Sequence, residues 1–281
     1  MPFFAQTEFE CGPAALATLL VHEGIPVTPQ ELAPAVYVEG LQGSLQAELL
    51  GATRRHGLIP YPLAADPLQL FAEIEDGRPV LVMQNLGLKR VPVWHYAVVI
   101  GFDAARDRVI LRSGAQRRRL ERSRRFVRSW TLAERWAFVA VRPGEVPLTA
   151  SPESFVRALV NAAPALDGRA LDAAYASVLN RWPDRTVALF AAANHAQTRE
   201  RWHEAAGLYE NLLAREPDQT AARNNLAYAL FEAGCETRAI AEARAALAAQ
   251  PADGAFYAAI QDTLKEFEQR RGTTSRQCTL P

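Results

Sequence analysis

Four short β-branched and aromatic segments follow one another between residues 78 and 143, and they constrain the fold more than any other feature of the sequence. They read RPVLVMQN, VWHYAVVIGF, DRVILRSG and WAFVAVRP, and residues such as Gly, Asp and Arg separate them. Segments of this length and composition predict β-strands. Because helical patterns precede the strands rather than alternate with them, we expect an α+β domain with an antiparallel sheet.

The segments upstream of these strands have helical periodicity. Each begins with a capping residue or a proline and ends at glycine or just before the next turn, and together they cover residues 13–24, 28–36, 44–57 and 66–77. The clearest start is TPQE, in which Thr28 and Glu31 have the spacing of a capping box. The first domain therefore begins with helices, extends over residues 1–142 and ends at the linker RPGEVPLTASP, of which we assign residues 143–151 to the linker.

Beyond the linker the strand pattern disappears, and the sequence repeats. Pro183, Pro217 and Pro251 are spaced 34 residues apart, which is the period of tetratricopeptide repeats. In the second and third repeats the small residues expected at the eighth and twentieth positions are Ala193, Ala205, Ala227 and Ala239, whereas the first repeat is degenerate.

Residues 152–271 thus resemble an all-α tetratricopeptide-repeat domain with a C-terminal cap helix from Gly254, and residues 272–281 form a tail. The resemblance implies a concave surface that binds a peptide or protein partner. The alternative is that these helices only brace the first domain.

The charges balance, with 31 basic and 31 acidic residues, so net charge does not indicate nucleic-acid binding. The basic residues are nevertheless concentrated in one segment, which contains Arg112, Arg117, Arg118, Arg119, Arg122, Arg124, Arg125 and Arg128. Such a segment binds an acidic partner or an anionic membrane surface, or it is a solvated strand and turn whose arginines pair with acids elsewhere. Stacking aromatic residues are sparse in it, so no nucleic acid is expected as a partner.

The three cysteines, Cys11, Cys235 and Cys278, are far apart and lack metal-ligand spacing. Their odd number and spacing argue against a disulfide framework and against a zinc site. No phosphate-binding glycine loop is present either, so we expect no metal and no cofactor.

No apolar segment approaches the ~18 residues of a membrane span. Met1 is followed directly by PFFAQ, which is not a signal peptide. We expect membrane association only if a lipoprotein signal precedes this sequence. With an upstream signal the protein would be exported, periplasmic or lipid-anchored; without one it would be cytoplasmic.

Cys11 is the first candidate for chemistry, because it directly precedes Gly-Pro and a helix. At a helix N-terminus the free N–H groups favour the thiolate, so the pattern predicts a lowered pKa. Gly12 leaves room for a substrate carbonyl, and the amide of Gln6 can complete an oxyanion hole with the Cys11 backbone N–H. The alternative is a small apolar residue that happens to start a helix.

His95 is the candidate base among the five histidines. It begins the segment HYAVVIGF, the most strand-like of the chain, and follows Trp94, an aromatic residue that can form the wall of a cleft. The alternative for a lone strand histidine is a structural role.

Together, Gln6, CGPAAL from Cys11 and HYAVVIGFD from His95 resemble the papain-like cysteine peptidases that process the double-glycine leaders of bacteriocins. The resemblance covers about residues 1–142 and implies a papain-like fold. It also implies that Cys11 is the nucleophile, His95 the general base and Gln6 the oxyanion glutamine. Combined with the repeats, the chain resembles stand-alone bacterial cysteine peptidases, which are often exported.

One position departs from that family, in which an aspartate on the next strand orients the histidine. Here the strand ends LRSG, and Ser113 takes the place of the aspartate. Asp103 lies about 26 Å along the strand from His95, too far to substitute. A hairpin turning near Ala105 would pair residues whose numbers add to about 210, which places Ser113 and Gln116 close to His95. Either side chain, or a backbone carbonyl, could accept the imidazole N–H. A neutral acceptor stabilises an imidazolium less than a carboxylate does, so a weaker or narrower-range enzyme is expected.

The sequence therefore predicts a cysteine peptidase that hydrolyses peptides and recruits a partner through its repeats. Two alternatives remain open at this point. One is an inactive, peptidase-like module that only binds peptides. The other is an amidase or transglutaminase-like acyl transferase on the same scaffold.

Overall fold

The computed structural model describes residues 1–5, 11–41, 43–251, 253–272 and 278. It divides into two compact units, residues 1–174 and 175–281. The first unit combines helices with an antiparallel sheet, and the second is helical throughout its described residues. The predicted fold class, an α+β domain followed by an all-helical region, is therefore confirmed.

Four helices of the first unit lie largely where the patterns predicted them: α1 (Cys11–His22), α2 (Pro29–Val36), α3 (Gln46–Arg55) and α4 (Pro67–Glu75). The unit also contains α5 (Ser123–Thr131), which the patterns missed, and α6 (Pro152–Ala162). The capping box of α2 is confirmed, since Thr28 Oγ1 accepts the Glu31 N–H and the Glu31 carboxylate accepts the Thr28 N–H. Helix α3 begins two residues later than the predicted Ser44, because β1 (Tyr37–Val38) and β2 (Gly43–Ser44) form a small antiparallel ribbon.

The main sheet has six antiparallel strands in the order β3-β8-β4-β5-β6-β7. These are β3 (Ile59–Pro62), β4 (Val80–Asn85), β5 (Trp94–Asp103), β6 (Arg108–Ser113), β7 (Gln116–Arg122) and β8 (Ala137–Val141). Four of them are the predicted strands. The two that the patterns missed, β3 and β7, are the edges of the sheet, where prolines and charged side chains are tolerated and apolar alternation is not required.

The pairing of β5 with β6 determines which side chains meet near His95. Val98 pairs with Arg112 and Val99 with Leu111, so the residue numbers add to 210, as the hairpin predicted. A bulge between Val99 and Gly101 shifts the register by one residue towards the turn. The predicted register therefore holds at the end of the hairpin that carries His95.

Helix α1 is buried on all sides from Gly12 to Leu20, as an apolar helix in the middle of a domain should be. Leu16, Leu19 and Leu20 are fully buried and share a core with Tyr96 and Val98 of β5. Burying a leucine side chain stabilises a fold by about 1.5–3 kcal/mol. This packing fixes the first residue of α1 beside the first residues of β5.

Helix α6 belongs to the first unit, although the sequence assigned it to the repeats. Its Ser154 Oγ lies 2.8 Å from the Tyr61 hydroxyl of β3, and Phe155 is fully buried. Upstream, the N–H and hydroxyl of Thr149 both donate to the buried Glu73 carboxylate at 2.7 Å. The linker segment is thus tied to α4, and the two units divide between residues 174 and 175 rather than at residues 143–151.

After α7 (Gly168–Arg181), the second unit contains two helical hairpins and a last helix: α8 (Thr186–Thr198), α9 (Trp202–Leu213), α10 (Thr220–Glu232), α11 (Glu236–Ala248) and α12 (Tyr257–Arg270). Helices α8 and α10 start 34 residues apart, and so do α9 and α11. The small residues predicted inside the repeats, Ala193, Ala205, Ala227 and Ala239, are all fully buried. The period of the sequence is therefore also the period of the helices.

Helix α12 returns the chain to the preceding helices, where Phe267 stacks on Phe231 with 4.3 Å between ring centroids. Cys235 and Cys278 form a disulfide, with 4.5 Å between their Cα atoms. The prediction that no disulfide forms is thus wrong. The two cysteines are 43 residues apart in sequence, and their proximity follows from the return of the chain, which spacing alone does not indicate.

We predict that the unreduced protein, unfolded in denaturant, exposes one titratable thiol, that of Cys11, and that reduction exposes all three. Thiol titration with a chromogenic disulfide reagent measures both numbers. Cys278→Ser should lower the free energy of unfolding by about 2–4 kcal/mol, whereas Cys11→Ser should leave the disulfide intact. Three reactive thiols before reduction would contradict the pairing.

Candidate functional site

Cys11 is the first residue of α1, and it is half-buried and outside the disulfide. Burial raises the pKa of the Cys11 thiol, although the backbone N–H groups of Tyr96, Gly12 and Cys11 itself act in the opposite direction. The predicted lowering of this pKa is therefore wrong for the free chain. Burial in apolar surroundings raises this pKa by more than the N–H groups of the helix N-terminus lower it, because desolvation destabilises the thiolate more than these donors stabilise it.

Tyr96 connects the thiol to the sheet and was not singled out from the sequence. Its backbone N–H faces the Cys11 sulfur, and its hydroxyl donates to the Ser44 carbonyl at 3.1 Å. Burial and the nearby Cys11 both raise the pKa of the Tyr96 hydroxyl. The one signal in the sequence was its position directly after His95.

His95 is the second residue of β5 and pairs with Gln84 of β4. Its Nε2 lies 2.8 Å from Ser113 Oγ, and Ser113 is only 2% exposed. Burial and then the positive charge of Arg119 lower the pKa of His95 to about 4. The imidazole is therefore neutral at physiological pH, since no carboxylate among the described residues offsets these two effects.

Other groups considered from the sequence lie elsewhere. Asp103 is at the far end of β5, where it accepts the Arg106 N–H and pairs with the Arg106 guanidinium at 3.0 Å. Gln116 is exposed and pairs with Ser113 across β6 and β7. Gln6 lies outside the described residues. The register brings the Ser113 hydroxyl and the Gln116 amide near His95, and it is the Ser113 hydroxyl that hydrogen-bonds to the imidazole.

Cys11 and His95 are neighbours through the backbone, since the thiol faces the N–H of the residue that follows His95. Among the described residues no hydrogen bond joins the Cys11 sulfur to the His95 ring. Together with the two pKa shifts, this describes a resting site that holds a neutral thiol and a neutral imidazole. Catalytic pairs in free enzymes commonly lack such a hydrogen bond, so its absence does not exclude a catalytic role for these two residues.

Gly12 permits the close approach of β2 to the start of α1. A methyl group at Gly12 would lie 2.5 Å from Ser44 Cβ and closer still to Ser44 Oγ. The Ser44 hydroxyl is buried without a hydrogen-bond partner among the described residues, and it lies next to the candidate nucleophile. The room that Gly12 provides is thus occupied by Ser44 in the free chain.

An apolar hairpin, residues 86–94, leads directly into His95. Asn85 stabilises it by accepting the N–H groups of Gly87 at 2.9 Å and Val93 at 3.0 Å. Five large apolar side chains of this hairpin are at least 40% exposed: Leu86, Leu88, Val91, Val93 and Trp94. The hairpin therefore offers an ordered apolar surface beside the candidate base.

The described residues contain no cluster of three or more His, Cys, Asp or Glu side chains that could hold a metal ion. Over the same part of the chain, every helix is too short or too polar to cross a membrane.

We predict that Gly12→Ala lowers the free energy of unfolding by about 1–3 kcal/mol, because the new methyl overlaps Ser44. Ser44→Gly in the same chain should restore most of this stability, since it removes both overlapping atoms. Ser44→Ala should not, since it keeps the Cβ. Chemical denaturation of the three variants measures the effect, and equal stabilities of the two double variants would contradict the packing of Ser44 on Gly12.

Comparison with known proteins adds a family to this geometry. The model of the Peptidase_C39 like family matches residues 1–137, just under half of the chain. No curated protein sequence matches the chain.

Two solved structures are similar to the N-terminal half. One is a candidate C39-like peptidase from Bacillus anthracis, 18% identical with a TM-score of 0.42, for which the alignment covers 50% of this chain and 94% of the other. The second is the peptidase domain of Streptococcus ComA, a bi-functional ABC transporter involved in a quorum-sensing pathway. It is 24% identical with a TM-score of 0.40, and the alignment covers 49% of this chain and 95% of that domain. The N-terminal half of the chain is a peptidase C39-like domain, and an all-helical region follows it.

Proposed function

We propose that the chain is a cysteine peptidase in which Cys11 is the nucleophile and His95 the general base. The observation that carries the proposal is the placement of the Cys11 thiol against the first residues of β5, within a C39-like domain. The thiol is the only free one among the described cysteines.

The reaction begins from the neutral pair. With Nε2–H donating to Ser113, the lone pair of His95 lies on Nδ1. As substrate binding brings this nitrogen to the sulfur, Nδ1 takes the thiol proton while the sulfur attacks the peptide carbonyl and forms a C–S bond. The imidazolium then protonates the leaving amine, and the C–N bond breaks. Water hydrolyses the thioester with the same base, which regenerates the thiol.

The oxyanion formed by this attack needs hydrogen-bond donors. The backbone N–H groups of Cys11 and Gly12 already face the sulfur, so they lie close to the carbon it attacks. We assign the amide of Gln6 as a further donor, on the resemblance described above. Donors of this kind contribute about 2.7–4 kcal/mol each to transition-state stabilisation.

Ser113 positions His95 but cannot stabilise the imidazolium as a carboxylate does. In this proposal the enzyme is therefore slower, or needs a better-fitting substrate, than a peptidase with an aspartate at this position. The 86–94 hairpin supports a peptide as substrate, because its exposed side chains offer apolar contacts beside His95. Binding energy from these contacts can bring the scissile bond and the two catalytic groups together.

For the helical region we propose tetratricopeptide repeats that recruit a protein or peptide partner. The proposal rests on the 34-residue spacing of α8 to α10 and of α9 to α11, and on the buried alanines inside these helices.

A second function, peptide binding without cleavage, is favoured by two features of His95. The low pKa of His95 and its lack of a hydrogen bond to Cys11 are also what a binding module that has lost catalysis would show. An amidase or transglutaminase-like reaction would use the same groups and differ in the acceptor of the acyl group.

We predict that the wild-type chain cleaves a subset of a peptide library, that Cys11→Ala abolishes cleavage, and that Cys11→Ala still binds the cleaved peptides. Mass spectrometry of the products locates the cut and detects acyl transfer when an amine is added. Binding without cleavage by wild type would favour the second function. Equal cleavage by wild type and Cys11→Ala would exclude Cys11 as the nucleophile.

The pKa directions give a second prediction. Since burial raises the pKa of Cys11 and His95 is neutral above about pH 4, the rate of Cys11 alkylation by iodoacetamide should increase into the alkaline range without a plateau near neutral pH. Ser113→Asp should raise the pKa of His95, stabilise the thiolate and accelerate alkylation at neutral pH by about tenfold. Ser113→Asn has the same shape without the charge and should not. A pH-independent rate in wild type between about pH 5 and 8 would indicate a preformed ion pair instead.

A further inference from the structure

The arginine-rich segment lies along one edge of the sheet, and we call it the basic edge. It consists of β7, the outer strand of the sheet, and α5, the helix that follows it. Six of its arginines are exposed: Arg117, Arg118, Arg122, Arg124, Arg125 and Arg128. A strand and a helix that adjoin in sequence thus present their charges to solvent together.

Within the part of the chain that the structure describes, most of these arginines have no ion-pair partner. Among the described residues only Arg125 of the six makes an ion pair, 3.3 Å from the Glu121 carboxylate. Glu121 itself is 4% exposed and also lies 3.9 Å from the partly buried Arg119. Over the described residues, the structure therefore does not show most of these arginines paired with acids elsewhere, although Arg118 acts electrostatically on Asp103.

The basic edge is continuous with the candidate site. Gln116, the first residue of β7, pairs with Ser113, and the Ser113 hydroxyl is hydrogen-bonded to His95. Arg119 lies on the same strand and acts electrostatically on His95. A peptide held at His95 would therefore lie two strands away from β7, which carries Arg117, Arg118 and Arg122.

We propose that the basic edge binds an acidic stretch of the peptide substrate, outside the segment that is cleaved. This inference rests on the proposed peptidase function and adds the chemical class of the substrate. Guanidinium groups bind carboxylates through two parallel N–H···O bonds, and unpaired positive charges attract an acidic ligand over about a Debye length.

An anionic membrane is the alternative ligand, and the geometry disfavours it. Successive side chains of β7 point to opposite faces of the strand, so Arg117 and Arg118 do not lie in one plane. Leu120 is the exposed large apolar residue of the basic edge, which leaves little to insert into a bilayer. A flexible acidic peptide can reach both faces.

The test measures binding separately from cleavage, using the full chain with Cys11→Ala. The probe is a fluorescein-labelled octaglutamate peptide, and anisotropy gives its Kd. Arg118→Glu/Arg122→Glu should weaken binding by about tenfold. The matched control, Arg157→Glu/Arg169→Glu, makes the same charge change on exposed arginines of α6 and α7 and should change the Kd less than about twofold. Higher salt should also weaken octaglutamate binding to the Cys11→Ala chain with its native arginines.

Equal weakening by both double variants, or equal binding of an octaserine peptide, would overturn the inference. So would sedimentation of the protein with vesicles of phosphatidylcholine and about one-third phosphatidylserine when octaglutamate does not bind.

A second measurement distinguishes the two proposals. A cleavable peptide is compared with and without a glutamate tail on the active chain. The tail should raise kcat/KM by about tenfold in wild type and not in Arg118→Glu/Arg122→Glu. If cleavage does not depend on the tail, the proposal that the basic edge binds an acidic stretch is contradicted, and the peptidase proposal is not. Octaglutamate binding with no cleavage of any peptide contradicts the peptidase proposal and leaves the acidic binding surface in place.

Discussion

The packing of α1 against β5 is the constraint on which the candidate site depends. Leu16, Leu19 and Leu20 are fully buried against the sheet, and this fixes Cys11 at the residue where the strand begins. The Tyr96 hydroxyl then ties β5 to Ser44, and Ser44 lies directly on Gly12. Thiol, strand and ribbon therefore form one packed unit, in which a shift of any one part moves the others.

Electrostatics in this unit favour neutral groups. Burial raises the pKa of Cys11 and lowers that of His95, and the nearby Arg119 lowers His95 further. A peptidase with a carboxylate beside its histidine would oppose this tendency, whereas the buried Ser113 hydroxyl does not. The exposed arginines of the basic edge lie on the strand and the helix that follow Ser113 in sequence. In the proposed function, positive charge that lowers the pKa of the candidate base also attracts an acidic segment of the substrate a few residues away.

The sequence was informative where local chemistry decides the outcome. The capping box of α2, the α+β order and the β5–β6 register that brings Ser113 to His95 all follow from spacing and composition. Features that depend on contacts between distant parts of the chain could not be predicted from the sequence. The thiol pKa depends on burial by residues distant in sequence, the Cys235–Cys278 disulfide depends on the return of α12, and β3 and β7 form edges without strand-like alternation. The contact of Ser44 with Gly12 likewise joins segments that no local pattern connects.

The central claim is that Cys11 carries the acyl group during peptide cleavage. The most direct test is rapid acid quenching of the wild-type chain with a cleaved peptide, followed by digestion and mass spectrometry of the protein. The account predicts an acyl thioester on the fragment that contains Cys11, accumulating before product release and absent from Cys11→Ala. An acyl group on a residue other than Cys11 would contradict the claim. So would cleavage by Cys11→Ala at the wild-type rate, with no adduct on the wild-type chain.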